Sequence, residues 1–212
     1  MQTDPFFIVF QLAILILSIV IHEVAHGYAA NALGDPTAKL SGRLTLNPLK
    51  HIDLVGSIFI PAFLMLTNAG VLFGWAKPVP YNPYNLKNQR WGEAIVASAG
   101  SLTNILLAVI FGLIARFGYG TLPDPFISIA VATSFVNLFL GLFNLIPLPP
   151  MDGYTTLRGL LPYRFSIPFR QFEERIRSGG ITGLILVLLL FSFFFAGPFS
   201  VLVDHLFRLL VG

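Results

Sequence analysis

Apolar positions fall in long blocks, and the spaces between the blocks are short. Residues 6–21 are apolar apart from Gln11 and Ser18, and the block continues to Leu33. It predicts one helix, with Pro5 near its first turn and Gly34 just past its end. About 20 apolar residues suffice to cross a bilayer, so this helix is long enough to span one. The pattern then changes: Lys39, Ser41, Arg43 and Thr45 alternate with Leu40, Gly42, Leu44 and Leu46. A period of two punctuated by Ser-Gly predicts a short β-element at the membrane surface. Residues 52–73 are apolar again, interrupted by Pro61 and by Asn68-Ala69-Gly70. Pro78, Pro80 and Pro83 exclude a helix interior from residues 76–83 and favour extended backbone.

Residues 91–117 and 126–146 predict two further apolar helices, parted by Pro123-Asp124-Pro125. The second must stop at Pro147-Leu148-Pro149-Pro150, after which a short helix starts near Asp152. A charged surface segment, residues 164–177, precedes a last apolar stretch, 181–211, that Gly197-Pro198 breaks. The fold class expected is an all-α polytopic membrane protein, with about four to six transmembrane or re-entrant helices and short β-elements near the active site. It forms a single domain over residues 1–212, with a core of 5–160 and a C-terminal surface helix and hydrophobic segment, 161–212.

Composition agrees with the pattern. Of 212 residues, 55% are hydrophobic and 11% charged, where a soluble domain has about a quarter charged. The net charge of +3 is small and its basic residues flank apolar blocks, which marks topology and excludes a nucleic-acid footprint. The absence of cysteine excludes disulfides and thiolate metal ligands. With no Lys or Arg before Lys39, the first block is not expected to be a cleaved signal peptide. Three regions carry the positive charge: Lys39, Arg43 and Lys50; Lys77, Lys87 and Arg90; and the arginines from Arg158 to Arg177. All three lie on the cytoplasmic side if residues 52–73 enter and leave by one face. The preferred topology is therefore four spans plus a re-entrant segment; a full span over 52–73 is the alternative.

The chemistry lies in His22-Glu23-Val24-Ala25-His26. Residues four apart share a helix face, so both imidazoles can reach one zinc ion about 2 Å from each nitrogen. Glu23 stands beside them, where it can take a proton from an attacking water. Polar residues in an apolar helix need partners, which favours a site over a wetted helix end. A catalytic zinc keeps three protein ligands and one open position. Asp152, at a helix start behind a proline-rich break, is the best third candidate, although taken on its own it reads first as an N-cap.

Residues 144–153, Asn-Leu-Ile-Pro-Leu-Pro-Pro-Met-Asp-Gly, resemble the N-x-x-P-x-P-x-x-D-G signature of the site-2 proteases, intramembrane zinc metalloproteases. Taken with His22–His26 in the same order, the resemblance covers at least residues 22–153. It implies His22, His26 and Asp152 as ligands of one Zn2+ per chain. It also implies Glu23 as catalytic base, and Asn144 as a residue of the site that bonds substrate or oxyanion. Residues 99–104, Ala-Gly-Ser-Leu-Thr-Asn, are similar to the family's G-P-x-x-N element, with Ser101 in place of proline; no catalytic role is assigned to Asn104. With no PDZ-like insertion, the chain looks like a compact prokaryotic member, multi-pass in the cell membrane, its active site towards the cytoplasm. Its partners would be transmembrane protein or peptide substrates and the lipid bilayer, not nucleic acid.

An unwound substrate could pair with residues 76–83, or with the element at 39–46, by β-addition. His51 and His205 are expected at interfaces and not on the metal. A transporter would explain broken helices and intramembrane carboxylates, and an inactive homologue would explain a structural zinc. Neither explains the intact Glu23 together with both motifs.

Overall fold

Helix α1, Pro5–Ala32, forms as its composition requires, and its end is set by Gly34. In this computed structural model, which describes residues 5–60, 63, 66 and 75–212, Gly34 has φ +105° and the chain closes a two-bond cap. Asp35 N–H donates to Ala30 and Gly34 N–H to Asn31. Glycine takes that left-handed position without the Cβ penalty other residues meet.

The expected β-element at residues 39–46 does not form, and no strand occurs among the described residues. Residues Thr37–Leu40 make a one-turn helix, α2. Gly42, at φ +64°, repeats the cap of α1: Arg43 N–H reaches Ala38 and Gly42 N–H reaches Lys39. The Ser-Gly signal is thus a helix C-cap, which looks like a hairpin turn when the flanking residues alternate. A π-helical turn, Leu54–Phe59, opens the next apolar block. The choice between re-entry and a full span over 52–73 lies largely outside the described residues.

Helices α3 (Gln89–Gly118) and α4 (Asp124–Asn144) form an antiparallel pair against which α1 packs. Stretches Val9–Ala32, Trp91–Gly118 and Asp124–Asn144 are each long and apolar enough to cross a membrane. Short helix α5 (Asp152–Leu160) lies on α3. Helix α6 (Tyr163–Ser178) is amphipathic, and it bends by 113° into the apolar helix α7 (Gly180–Phe194). That pair can form a fourth, broken span. The last helix, α8 (Ala196–Val211), starts where Pro198 forces a break. A proline cannot donate to the carbonyl four residues back and its ring crowds that carbonyl, so it is tolerated in a first turn and ends the helix before it. Val203 of α8 packs on Ala108 of α3 and Leu138 of α4, with Phe199, Leu206 and Phe207 around them. The chain is an all-α, multi-pass membrane protein.

Buried charges tie α5 and α6 to the bundle. Arg158 of α5 reaches Glu93 of α3 at 3.0 Å and Glu173 of α6 at 3.5 Å. Arg170 joins Glu93 at 3.0 Å, and Arg177 joins Glu173 at 3.1 Å. Helix α5, which begins at Asp152, is therefore held against α3 by ion pairs in its last turn as well as by packing.

Candidate metal centre

His22 and His26 project from one face of α1, one turn apart, with their rings edge to face at 4.6 Å. Their Nε2 atoms stand 3.1 Å apart. Asp152, the first residue of α5, places Oδ2 at 3.1 Å from His22 Nε2 and 3.4 Å from His26 Nε2. Two histidines one helical turn apart and an aspartate distant in sequence thus meet at one point.

Hydrogen bonds behind the rings decide which nitrogens face that point. His26 Nδ1 lies 2.7 Å from the carbonyl of Val96, which can only accept, so Nδ1 carries the proton. For His22 the logic runs through two asparagines. Asn137 Nδ2 donates to the Thr133 carbonyl and to Ser18 Oγ, so its Oδ1 faces Asn104. Asn104 Nδ2 donates to that oxygen at 2.7 Å and approaches the Ser18 carbonyl at 3.4 Å. Asn104 Oδ1 then accepts from His22 Nδ1 at 2.6 Å. In the neutral imidazoles both Nε2 atoms then present lone pairs towards Asp152.

Two lone pairs and a carboxylate oxygen within 3.4 Å repel unless a cation stands among them. Ligand atoms about 2.0–2.1 Å from a tetrahedral zinc lie roughly 3.3–3.4 Å from one another. The observed separations of 3.1–3.4 Å fit that geometry, and the donor set of two imidazoles and one carboxylate fits zinc chemistry. His22 is buried, while the His26 and Asp152 side chains are 12% and 21% exposed.

Helix α3 approaches this point closely because Gly100 lies against it. A Cβ at Gly100 would stand 2.5 Å from His26 Nε2 and 2.8 Å from His22 Cε1. Ser101, next to it, donates from Oγ to Asp152 Oδ2 at 3.1 Å. Gly153 serves the other side, since a Cβ there would overlap the Leu145 carbonyl.

Glu23 accepts from Val79 N–H at 2.8 Å. Residues 76–82 are free of helix, as expected, Pro83 opens a 3-10 turn, and the segment runs along α1 from Glu23 to Asp35 beyond its end. Lys77 N–H donates to His51, Arg43 donates to the Lys77 and Pro78 carbonyls, and Asn82 N–H donates to Asp35. With prolines at 78, 80 and 83, most of the segment's donors are absent or bound inside the protein. It is built as a strap on Glu23 and is poorly supplied with donors for a substrate strand.

The remaining expected residues have these partners. Asn144 sits at the end of α4 and its amide donates to the Leu140 carbonyl at 3.0 Å. His51 is 2% exposed, not wetted at an interface, and its Nε2 meets the Thr45 carbonyl. Asp204, beside His205, pairs with Arg208 on α8. The residues that sequence reasoning missed are Ser18, Asn137, Gly100 and the Val79 amide. Ser18, Asn104 and Asn137 do carry a signal: polar side chains inside apolar spans must find partners.

The family model for peptidase family M50 matches residues 10–123 and 120–191. The chain is 41% identical over 187 residues to "Putative zinc metalloprotease YwhC" of Bacillus subtilis, covering 84% of this chain and 77% of that protein. It is 30% identical over 142 residues to "Putative zinc metalloprotease Rip2" of Mycolicibacterium smegmatis, covering 67% of this chain and 53% of that protein. It is 25% identical over 185 residues to "Zinc metalloprotease MJ0392" of Methanocaldococcus jannaschii, covering 84% and 41%. No solved structure matches the chain. Matched along most of its length, the chain belongs to peptidase family M50, the site-2 protease family of zinc metalloproteases.

Proposed function

We propose that the protein is an intramembrane endopeptidase that cuts transmembrane proteins in or near their membrane-spanning segments, using one Zn2+ held by His22, His26 and Asp152. The observation that carries this reading is the convergence of three ligand atoms within 3.4 Å on a helix that also bears Glu23. When bound, zinc would polarise the scissile carbonyl and make a water more acidic.

The chain's own residues do the rest. Asn104 and the Val96 carbonyl hold the two imidazoles with Nε2 forward. Glu23, steadied by the Val79 amide, takes the proton from the attacking water and returns it to the leaving amine. Asn144, on the chain leading into Asp152, lines the approach and bonds substrate or oxyanion once its amide leaves Leu140. The substrate must arrive unwound, since helical carbonyls are engaged in internal hydrogen bonds.

The active site faces the cytoplasm. Hydrogen bonds and ion pairs gather Arg43, Lys77 and Arg158 at the end of the bundle that carries the site. The opposite turn, residues 119–123, has no basic residue, and only Arg116 and Arg208 stand near it. Positive charge of this kind marks the inner face.

The test is cleavage of a transmembrane substrate by purified protein in lipid, with zinc content measured for wild type and Glu23→Gln. Expected are activity in wild type, none in the variant, and one zinc in both. Undiminished cleavage by Glu23→Gln, or no zinc in a folded wild type, would overturn the reading.

A further inference from the structure

The metal point is approached by α3 through residues about one turn apart that have different tasks. Gly100 makes room for the imidazoles, and Asn104 holds His22 from behind. Ser101 lies between them in the helix, fully buried at 0% exposure. Its hydroxyl donates to Asp152 Oδ2, the same oxygen that faces both Nε2 atoms. Position 101 is where the similar family element has proline, which would bring neither a hydroxyl nor an N–H.

Asp152 needs such a partner. It is the first residue of α5, and the residue before it, Met151, offers no side-chain cap. The χ2 torsion of aspartate is broad and roughly two-fold, so it does not itself select which oxygen points forward. Among the described residues, the partners of its carboxylate are His22, His26 and Ser101. The two histidines would be occupied by the metal, which leaves Ser101 to define the carboxylate's orientation before and after binding. A carboxylate oxygen has two lone-pair sites, so Oδ2 can accept from Ser101 on one and ligate with the other. The close approach is built in: Gly141 of α4 presses on the Ser101 carbonyl, where a Cβ would come within 2.9 Å, and so packs this turn of α3 from behind.

We propose that Ser101 is a positioning residue for Asp152, turning Oδ2 towards the histidine pair and thereby setting how tightly the site keeps zinc. The proposal rests on the zinc-site reading above. Partners of this kind behind a metal ligand contribute about 10–100-fold in metal affinity.

The experiment measures zinc affinity of the detergent-solubilised full chain by competition with a chelator, for wild type, Ser101→Ala and Asp152→Ala. Unfolding of each metal-free protein is followed alongside, with the visible spectrum of the Co2+ form. Ser101→Ala is expected to bind zinc about 10-fold more weakly, with unchanged metal-free stability and a shifted Co2+ spectrum. Asp152→Ala is expected to lose more. Wild-type affinity in Ser101→Ala, with Asp152→Ala weakened, would overturn the role of Ser101 and leave the zinc site standing. Wild-type affinity in Asp152→Ala would overturn both. A metal-free Ser101→Ala protein that is itself destabilised would make Ser101 a packing residue and also refute the proposal.

Discussion

Replacing Arg158 by methionine tests the claim that buried charge docks the Asp152 helix. Arg158 is 7% exposed at its side chain and stands between Glu93, at 6%, and Glu173, at 10%. Methionine fills most of the volume, so little of the effect comes from a cavity. What remains is two buried carboxylates that have lost their shared cation. Removing one partner of a buried pair costs about 3–5 kcal/mol. Here Glu93 keeps Arg170 and Glu173 keeps Arg177, but those arginines are 46% and 71% exposed and offset only part of the loss. The expected destabilisation is therefore about 3 kcal/mol, the low end of that range. Unfolding of the detergent-solubilised protein by a denaturing detergent would read it. The decisive control is Arg158→Met combined with Glu93→Gln and Glu173→Gln, which removes the stranded charges and should recover most of the stability. A loss below about 1 kcal/mol in the single variant, as for an exposed pair, would refute the reasoning. So would a triple variant less stable than the single one.

Two further perturbations address the strap over Glu23. Val79→Pro deletes the N–H that Glu23 accepts as well as the buried valine side chain, and Val79→Ala removes the side chain alone. A bond to a charged group is worth about 1.5–3 kcal/mol, so turnover should fall roughly 10–100-fold further in Val79→Pro than in Val79→Ala, with zinc retained in both. Equal activity in the two variants would show that the amide does not matter. At the strap's other end, burial pushes the Asp35 carboxyl up, but bonds from Thr37, Asn85 and the Asn82 amide outweigh it and hold the carboxyl below its ordinary value. A depressed folded value means the stability is present above the unfolded value, about 3.9, and is lost as pH falls through the folded one. Wild type should therefore exceed Asp35→Asn in stability at pH 6, and the gap should shrink below about pH 4. A gap independent of pH would count against an ionised Asp35.

Legibility in the sequence followed the range of the interaction. His22 and His26 lie four residues apart on one helix, so their convergence is a local property that periodicity exposes. The end of α1 and the start of α5 were marked by Gly34 and by the prolines before Asp152, while α3 starts at Gln89 behind an Asn88 cap, two residues ahead of the apolar block at 91. The element at 39–46 was misread because alternation and Ser-Gly are shared by hairpins and by helix caps. Only the bonds Arg43–Ala38 and Gly42–Lys39 separate the two. Asp152 was visible as a candidate, but 126 positions separate it from His26, and only the family resemblance chose between ligand and cap.

The polar partners of the ligands were hidden for a different reason. Asn104 lies 82 positions from His22, and Asn137 lies 33 from Asn104. Such pairs come from how three apolar helices cross, and no local pattern encodes a crossing. Yet each of these residues was anomalous where it stood. Ser18, Asn104 and Asn137 are among the few polar residues of largely apolar spans, and an amide in hydrocarbon is costly without a partner. The structure resolves all three anomalies in one chain of bonds from Asn137 to His22. One end of that chain is a ring nitrogen that must be protonated for its opposite to bind metal. These three residues therefore point to the metal even when they lie a helix away from it, as Ser101 does at the Asp152 side, whereas buried Ser134 only satisfies the Ala108 carbonyl.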